Sequence, residues 1–212
     1  MSLYTGCDEG TLEAFGDDNC LESFGQTQRV IFQKPFLAGA RNFIELDDQA
    51  VGYTDPKLLA SWQALKALDT DGKIVVSPTF GDPTMPDPEP RTFGNGNQVP
   101  DGAGIVLGDN TASFTARFWA KRAQLIANMQ KLPGTIGVYL VDHIGRIAGH
   151  VDDLTTPTKL YPFIVTNLFV GSKKLGGLEE PDSNVLQFTF GANWSKHFYI
   201  LEPTDFSAKT DL

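Results

Sequence analysis

Apolar and polar residues alternate along much of the chain, which is the pattern of half-buried β-strands. The alternation is clearest at residues 114–118 and 136–140, and β-prone apolar segments also cover 163–170 and 185–190. Shorter segments of the same kind predict further strands at 29–33, 42–46, 73–77, 146–150 and 197–201. About seven to nine strands at this spacing are typical of a β-sandwich or barrel.

Two segments have instead the three- and four-residue spacing of an amphipathic helix. In the first, Asp55 suits the N-cap and Pro56 the first helical position, and apolar residues recur as far as Leu68. The second covers residues 120–131 and is stopped by Pro133. Two helices beside many strands predict a β-rich α+β fold, in which the helices flank a face or an open end of the sheet.

Residues 78–110 differ from the rest of the chain, because they contain six prolines and six glycines. This composition predicts a long, stiff and extended loop. The loop also carries Phe80, Met85, Phe93 and Val99, which a purely solvating linker would not need. We interpret these four residues as subunit contacts of a loop that docks onto another molecule. A loop that folds back onto its own domain is the alternative.

Length and the absence of repeats favour one domain. A chain of 212 residues fits a single large domain, and no period of about 20–50 residues indicates a solenoid or propeller. We assign residues 29–202 to one β-rich domain, residues 1–28 to an N-terminal arm and residues 203–212 to a C-terminal tail.

The chain is acidic, with 17 Lys and Arg against 26 Asp and Glu, a formal net charge of −9 and a pI near 4.7. This excludes a protein that grips nucleic acid through a basic surface, although DNA could pass an acidic surface without adhering. No apolar run reaches the ~20 residues of a membrane helix, and the first ten residues lack the pattern of a signal peptide. We therefore expect no membrane association and synthesis in the cytoplasm.

Cysteine and histidine residues form no recognisable catalytic or metal-binding pattern. Cys7 and Cys20 lack the spacing of zinc ligands, and their acidic surroundings disfavour a reactive thiolate. Free thiols are favoured, with a disulfide between the two as the alternative. His143 and His150 lack a partner at ligand spacing and are interpreted as surface residues of a hairpin. His197 is interpreted as a packing or surface residue.

Carboxylates and glycine-rich segments are equally uninformative about catalysis. Asp69–Gly72 resembles the start of a calcium loop but lacks its later acidic ligands. Asp152–Asp153 and Glu179–Glu180 are adjacent pairs, whose side chains point to opposite faces of an extended chain. Gly102–Gly104 is not followed by the Gly-Lys-Ser/Thr of a phosphate-binding loop. We predict no catalytic residue, no cofactor and no bound metal, and therefore no enzyme.

The order of the elements resembles that of the tail tube proteins of tailed bacteriophages. The matching segments are Pro56–Ser77, the long loop, Phe114–Leu132, the hairpin Gly137–Gly149, Val185–Phe190 and Tyr199–Phe206. The hairpin has the sequence GVYLVDHIGRIAG, which is similar to the V-x-F-V-D-x-x-G-x-I-x-G pattern common among phage tail and virion proteins.

The resemblance implies a self-assembling homo-oligomer located in the virion tail. In that family a β-sandwich or barrel subunit with a flanking helix forms rings, taken here as hexameric, and the rings stack into a tube for DNA ejection. The resemblance further implies that residues 78–110, 1–28 and 203–212 contact neighbouring subunits, and that other tail proteins are partners. An acidic lumen would repel DNA, so that DNA passes without specific binding.

Two alternatives remain open from the sequence. The first is another tail, neck or baseplate component of a virion with a similar fold. The second is a carbohydrate-binding β-sandwich, in which Trp119, Trp194 and Tyr199 would stack on sugar rings.

Overall fold

The computed structural model describes residues 23–37, 39–84, 87, 89–94 and 105–212. Within these ranges an eleven-stranded antiparallel sheet, two small two-stranded sheets and two helices are present. In chain order the strands are β1 (Thr27–Gln33), β2 (Phe36–Leu37), β3 (Ala40–Arg41), β4 (Ile44–Glu45), β5 (Ile74–Val76), β6 (Gly81–Thr84), β7 (Pro90–Phe93), β8 (Ile105–Asp109), β9 (Ala112–Trp119), β10 (Ile136–Asp142), β11 (Ile147–Val151), β12 (Lys159–Tyr161), β13 (Phe163–Val170), β14 (Ser183–Phe190) and β15 (Phe198–Leu201). The helices are α1 (Leu59–Ala67) and α2 (Ala123–Met129). The predicted β-rich α+β fold is confirmed.

Part of the large sheet closes on itself as a barrel. β1 pairs with β10, β10 with β13, β13 with β14, β14 with β9, and β9 with β6. β5 pairs with the other edge of β1. The residues that follow β5 continue along the same edge. Ser77 N donates to Val30 O at 2.9 Å, and Phe80 N donates to Gln28 O at 3.0 Å. The segment from β5 to β6 therefore bridges β1 and β9 and completes the barrel.

The barrel interior is filled by the inward-facing residues of these strands. Because successive strand residues point to opposite faces, the alternation in β9 places Phe114 and Phe118 inside, where both are fully buried. Phe114 stacks on Phe188 of β14 with ring centroids 4.7 Å apart. α2 packs Ile126 and Met129 against the same cluster, so the helix flanks the barrel as predicted.

A second apolar cluster covers the outer face of β1, β10 and β11. β10 is buried along its whole length, with Val138 in the inner cluster and Tyr139 in the outer one. α1 contributes the fully buried Trp62, whose indole N–H donates to Pro56 O at 2.7 Å and whose ring meets Tyr139 edge-on. Residues 203–212, predicted as a tail, also pack against this cluster and are part of the domain.

Both helices are shorter than predicted. The Asp55 carboxylate accepts a hydrogen bond from Lys57 N at 2.9 Å, so the chain first makes a turn and α1 begins at Leu59. The second helix was predicted to begin at residue 120. Because Ala120 has φ 50°, which is outside the right-handed helical region, α2 begins only at Ala123.

All nine segments predicted as strands contain strands of the large sheet. The sheet has two more, β6 and β12, and thus exceeds the predicted seven to nine strands. β12 has only three residues, which is too short to show an alternating pattern. β6 was missed because it lies in the proline-rich segment.

The segment 78–110 is not a structureless loop where the structure describes it. Its first part contains β6, and β7 and β8 pair as a hairpin. Pro83 lies in β6, which pairs with β9 alone, and Pro90 is the first residue of β7. At such positions the missing N–H of proline costs little. The loop prediction was therefore wrong for these residues, because their high proline and glycine content was taken to favour an extended loop without strands.

Candidate functional site

A two-stranded hairpin stands apart from the barrel. Among the described residues β7 and β8 pair only with each other, with Phe93 opposite Ile105. At the base of the hairpin Asn110 N donates to Glu89 O at 2.8 Å. The hairpin therefore leaves the domain and returns to it at one point, just before β9.

Apolar side chains are exposed on both strands of this hairpin. The exposed fraction is 55% for Phe93, 41% for Ile105, 66% for Val106 and 51% for Leu107. A cluster of exposed apolar residues on a subunit marks a contact with another molecule. An isolated two-stranded hairpin is also only marginally stable in water unless it packs against something. The hairpin is therefore the candidate contact surface of this protein.

Of the four residues predicted as subunit contacts, one is exposed, one is buried and two lie outside the described residues. Phe93 lies on the hairpin and is exposed, as a contact residue must be. Phe80 is 6% exposed and packs edge-on against Phe114 in the barrel interior, so its side chain is a core residue and cannot reach another subunit. Met85 and Val99 lie outside the described residues.

Sequence reasoning missed three exposed apolar residues of the same hairpin, Ile105, Val106 and Leu107. They form a continuous apolar run between Gly104 and Gly108, which is a signal for a short strand. This signal is weak, because the run is only three residues long and lies in a segment rich in glycine and proline.

A groove lined by apolar residues lies between β5 and α2. In the described part of the chain β5 pairs with β1 alone, and Val75 is 45% exposed. Two adjoining cavities of about 250 and 180 Å³ share Phe32, Val75 and Leu132 as lining residues, and Leu125 and Met129 of α2 line the smaller one. The groove thus combines a free strand edge with apolar side chains, both of which suit an added strand or hairpin.

The turn of the hairpin that carries the resemblance is organised by the buried carboxylate of Asp142. Its Oδ1 accepts hydrogen bonds from Gly145 N at 2.8 Å and Arg146 N at 2.9 Å, and its Oδ2 lies 2.7 Å from the Arg146 guanidinium. Burial alone would raise the pKa of Asp142, but the hydrogen bonds from Arg146 and Gly145 lower it below its usual value. Arg146 also donates to Ser23 O at 2.8 Å, which anchors the first described residues to the turn.

Two glycines of the same pattern are required by close packing. Gly145 has φ 106°, a left-handed conformation that favours glycine, and a Cβ there would overlap with Ser207. A Cβ on Gly149 would lie 2.8 Å from the backbone oxygen of Tyr161. The pattern V-D-x-x-G-x-I-x-G therefore has structural roles within the domain, and it does not by itself identify a subunit contact.

Carboxylates do not converge on a reactive centre in the described ranges. No group of three or more His, Cys, Asp or Glu side chains there could hold a metal ion. Asp152 accepts hydrogen bonds from Thr158 N and Lys159 N, each at 3.0 Å. Burial would raise its pKa, but hydrogen bonds from Thr158 and Lys159 lower the pKa of Asp152 to about 2. Glu180 lies 3.6 Å from Lys174. These carboxylates organise turns and surface ion pairs.

The positions of His143 and His197 agree with the prediction, whereas the contact between His150 and His197 was not predicted. His143 is exposed in the turn between β10 and β11. His150 and His197, which are far apart in the sequence, stack with ring centroids 5.0 Å apart. Cys7 and Cys20 lie outside the described residues, so their pairing stays a prediction.

The aromatic residues considered for sugar binding do not form one platform. Trp119 lies opposite Ser183 at one end of the β9–β14 pair, whereas Trp194 follows Phe190 at the other end. These ends are roughly 23 Å apart at about 3.3 Å per residue. Trp194 stacks on Phe190 and packs against the inner cluster, while Tyr199 packs against the outer one. These three side chains therefore do not form one shared surface on which a sugar ring could stack, as the carbohydrate-binding alternative requires.

Comparisons with family models, curated proteins and solved structures found no match to this chain. Neither of the two helices in the described ranges has the length and apolarity that a membrane span requires.

Proposed function

We propose that this chain is a virion structural protein that self-assembles into stacked rings and forms a phage tail tube for DNA passage. The observation that carries the proposal is the β7–β8 hairpin, which exposes four apolar residues on a subunit whose own cores are already closed. A subunit that stayed monomeric would gain nothing from this exposure. In an assembly the same residues are buried, and about 25 cal/mol per Å² of apolar area stabilises the contact.

The position of the hairpin supports an assembly with repeated contacts. Rings and stacks need heterologous interfaces, in which one surface of a subunit binds a different surface of its neighbour. The hairpin is one such surface, and the groove between β5 and α2 is a second, distinct apolar surface on the same subunit. A chain with two different apolar surfaces can propagate contacts in one direction, whereas a self-complementary surface would stop at a dimer.

The net charge of −9 is compatible with DNA passage. Negative side chains that line the inside of a tube would repel phosphates and prevent DNA from adhering during transit. The same charge keeps the free subunit soluble before it assembles. We place the protein in the virion tail, with other tail proteins as partners, after synthesis in the host cytoplasm.

Removing the hairpin tests the proposal. Residues 90–109 are replaced by Asn-Gly, a two-residue turn that can join Glu89 to Asn110 because their backbones are already hydrogen-bonded. Phe80 and β6 are retained, since both belong to the barrel. The expected result is a folded subunit by circular dichroism that forms no rings or tubes in negative-stain electron microscopy.

A matched pair of point variants provides the control. Phe93→Ser and Leu154→Ser each remove an apolar side chain that is 55% exposed, but only Phe93 lies on the hairpin. We expect Phe93→Ser to weaken assembly and Leu154→Ser to leave it unchanged. A native chain that stays monomeric at high concentration would overturn the proposal. Closed rings that do not stack would support a neck or baseplate component instead.

A further inference from the structure

Two histidines from different parts of the chain are stacked at the edge of the barrel. His150 lies in β11 and His197 precedes β15, and the antiparallel pairing of these strands brings them together. Their ring centroids are 5.0 Å apart with an interplanar angle of 29°. The Nδ1 atoms of both rings are buried and have no hydrogen-bond partner among the residues that the structure describes.

The surroundings of His150 make its protonation unfavourable. Arg41 of β3 lies over the Tyr161 ring at 4.5 Å, and the Tyr161 ring in turn packs edge-on against His150. Burial, then Arg41 and then His197 lower the pKa of His150, and only Asp152 opposes them. A proton on His150 would therefore place a second cation beside Arg41 in a half-buried site.

The turn before β15 contains one member of this pair, His197. His197 O accepts a hydrogen bond from Val151 N at 3.0 Å, so the backbone at His197 belongs to the contact with β11. Three residues earlier, Trp194 packs on Phe163 and Phe190 in the inner cluster. His197 and Trp194 therefore lie in the same short turn, which contacts β11 at one residue and the inner cluster at the other.

We propose that His150 and His197 form a pH-sensitive latch, which holds the turn before β15 on the barrel while both imidazoles are neutral. When both imidazoles are protonated, repulsion between the two rings and between His150 and Arg41 releases the turn and exposes the aromatic residues beneath Trp194. Imidazole is suited to this role because it changes charge near neutral pH. The latch acts within one subunit and does not depend on the proposed function.

A titration of the native chain tests the latch. Two-dimensional NMR follows the three histidine ring signals and the Trp194 indole N–H, assigned through Trp194→Phe, between pH 8 and pH 5. We expect the Trp194 signal to shift and broaden with the midpoint of His150, below the ordinary histidine value of about 6.5. A Trp194 signal that stays constant while His150 and His197 titrate would overturn the proposal.

Two variants separate the latch from a general effect of acid. His197→Phe removes one charge from the pair, so the midpoint of His150 should rise towards the ordinary value and the Trp194 transition should weaken. If this variant does not fold, His197→Gln serves the same purpose. His143→Gln alters the exposed histidine of the β10–β11 turn and should leave the Trp194 transition unchanged. An unchanged midpoint of His150 without His197 would contradict the coupling of the two rings.

Discussion

The Asp142 side chain connects segments that are more than a hundred residues apart. Its carboxylate organises the turn before β11 and accepts a hydrogen bond from Gly25 N at 3.3 Å. Through Arg146 it also fixes the carbonyl of Ser23. Arg146 is in turn 3.7 Å from Glu202, beyond the end of β15. This single ion pair therefore joins the segment before β1, the turn between β10 and β11 and the end of β15.

Replacing Asp142 by Asn should destabilise the fold in a pH-dependent way. The variant keeps an oxygen that accepts from the backbone N–H groups, but Arg146 loses its charged partner. We therefore expect the free energy of unfolding at pH 7 to fall by about 1.5–3 kcal/mol. The pKa of Asp142 is lower in the folded chain. Its contribution is therefore complete above about pH 4 and is lost as the pH falls through the folded-state value.

Urea denaturation at pH 7 and at several values between about pH 4 and pH 2 measures this effect. The difference in the free energy of unfolding between the native chain and the variant should decrease as the pH falls. Asp153→Asn is the control, since Asp153 lies in an exposed turn and accepts only from Thr155 N and Thr156 N. If the difference in the free energy of unfolding were the same at the highest and the lowest pH, this would contradict a role for the negative charge of Asp142.

Single residues also mark the limit of sequence reasoning. The turn at 142–145 was predicted correctly, because glycine and aspartate between two alternating segments indicate a hairpin. The contact of Asp142 with Gly25 could not be predicted, since it depends on how β1 pairs with β10. The same holds for His150 and His197, which only the register of β11 with β15 brings together.

At the scale of elements, the proline-rich segment divides into a structural and an exposed part. Residues up to β6 close the barrel, with Phe80 in its interior. The β7–β8 hairpin beyond them exposes apolar residues and pairs with no other described strand. Alternation in β9 and β10 and β-prone apolar segments at β13 and β14 predicted strands of a sandwich or barrel. Composition alone could not separate the two parts of the proline-rich segment, because both are rich in proline and glycine.

A pair of alanine variants tests this division. Phe80→Ala opens a cavity in the barrel and should lower the free energy of unfolding by about 3–5 kcal/mol. Phe93→Ala removes an exposed side chain and should change that free energy by no more than about 0.5 kcal/mol. Urea denaturation of the subunit at low concentration measures both. Equal destabilisation by the two substitutions would mean that the hairpin packs on its own barrel.

At the scale of the whole molecule, charge and apolar surface act against each other. Each subunit carries a formal net charge of −9, so subunits repel one another as they approach. In the proposed assembly the exposed hairpin would provide the opposing attraction, which does not depend on salt to first order. The ionic strength should therefore decide when assembly begins, because it changes the repulsion far more than the apolar contact.

We predict that added salt promotes assembly of the purified chain. The screening length falls from about 30 Å at 0.01 M to about 8 Å at 0.15 M ionic strength, so repulsion between separate subunits is then largely removed. Light scattering should show assembly at a lower protein concentration in 0.15 M NaCl than in 0.01 M. The chain without residues 90–109 should scatter equally weakly in both, because it keeps most of the negative charge but lacks the apolar hairpin. A decrease of assembly with salt would instead mean that ion pairs between subunits, rather than the hairpin, provide the attraction.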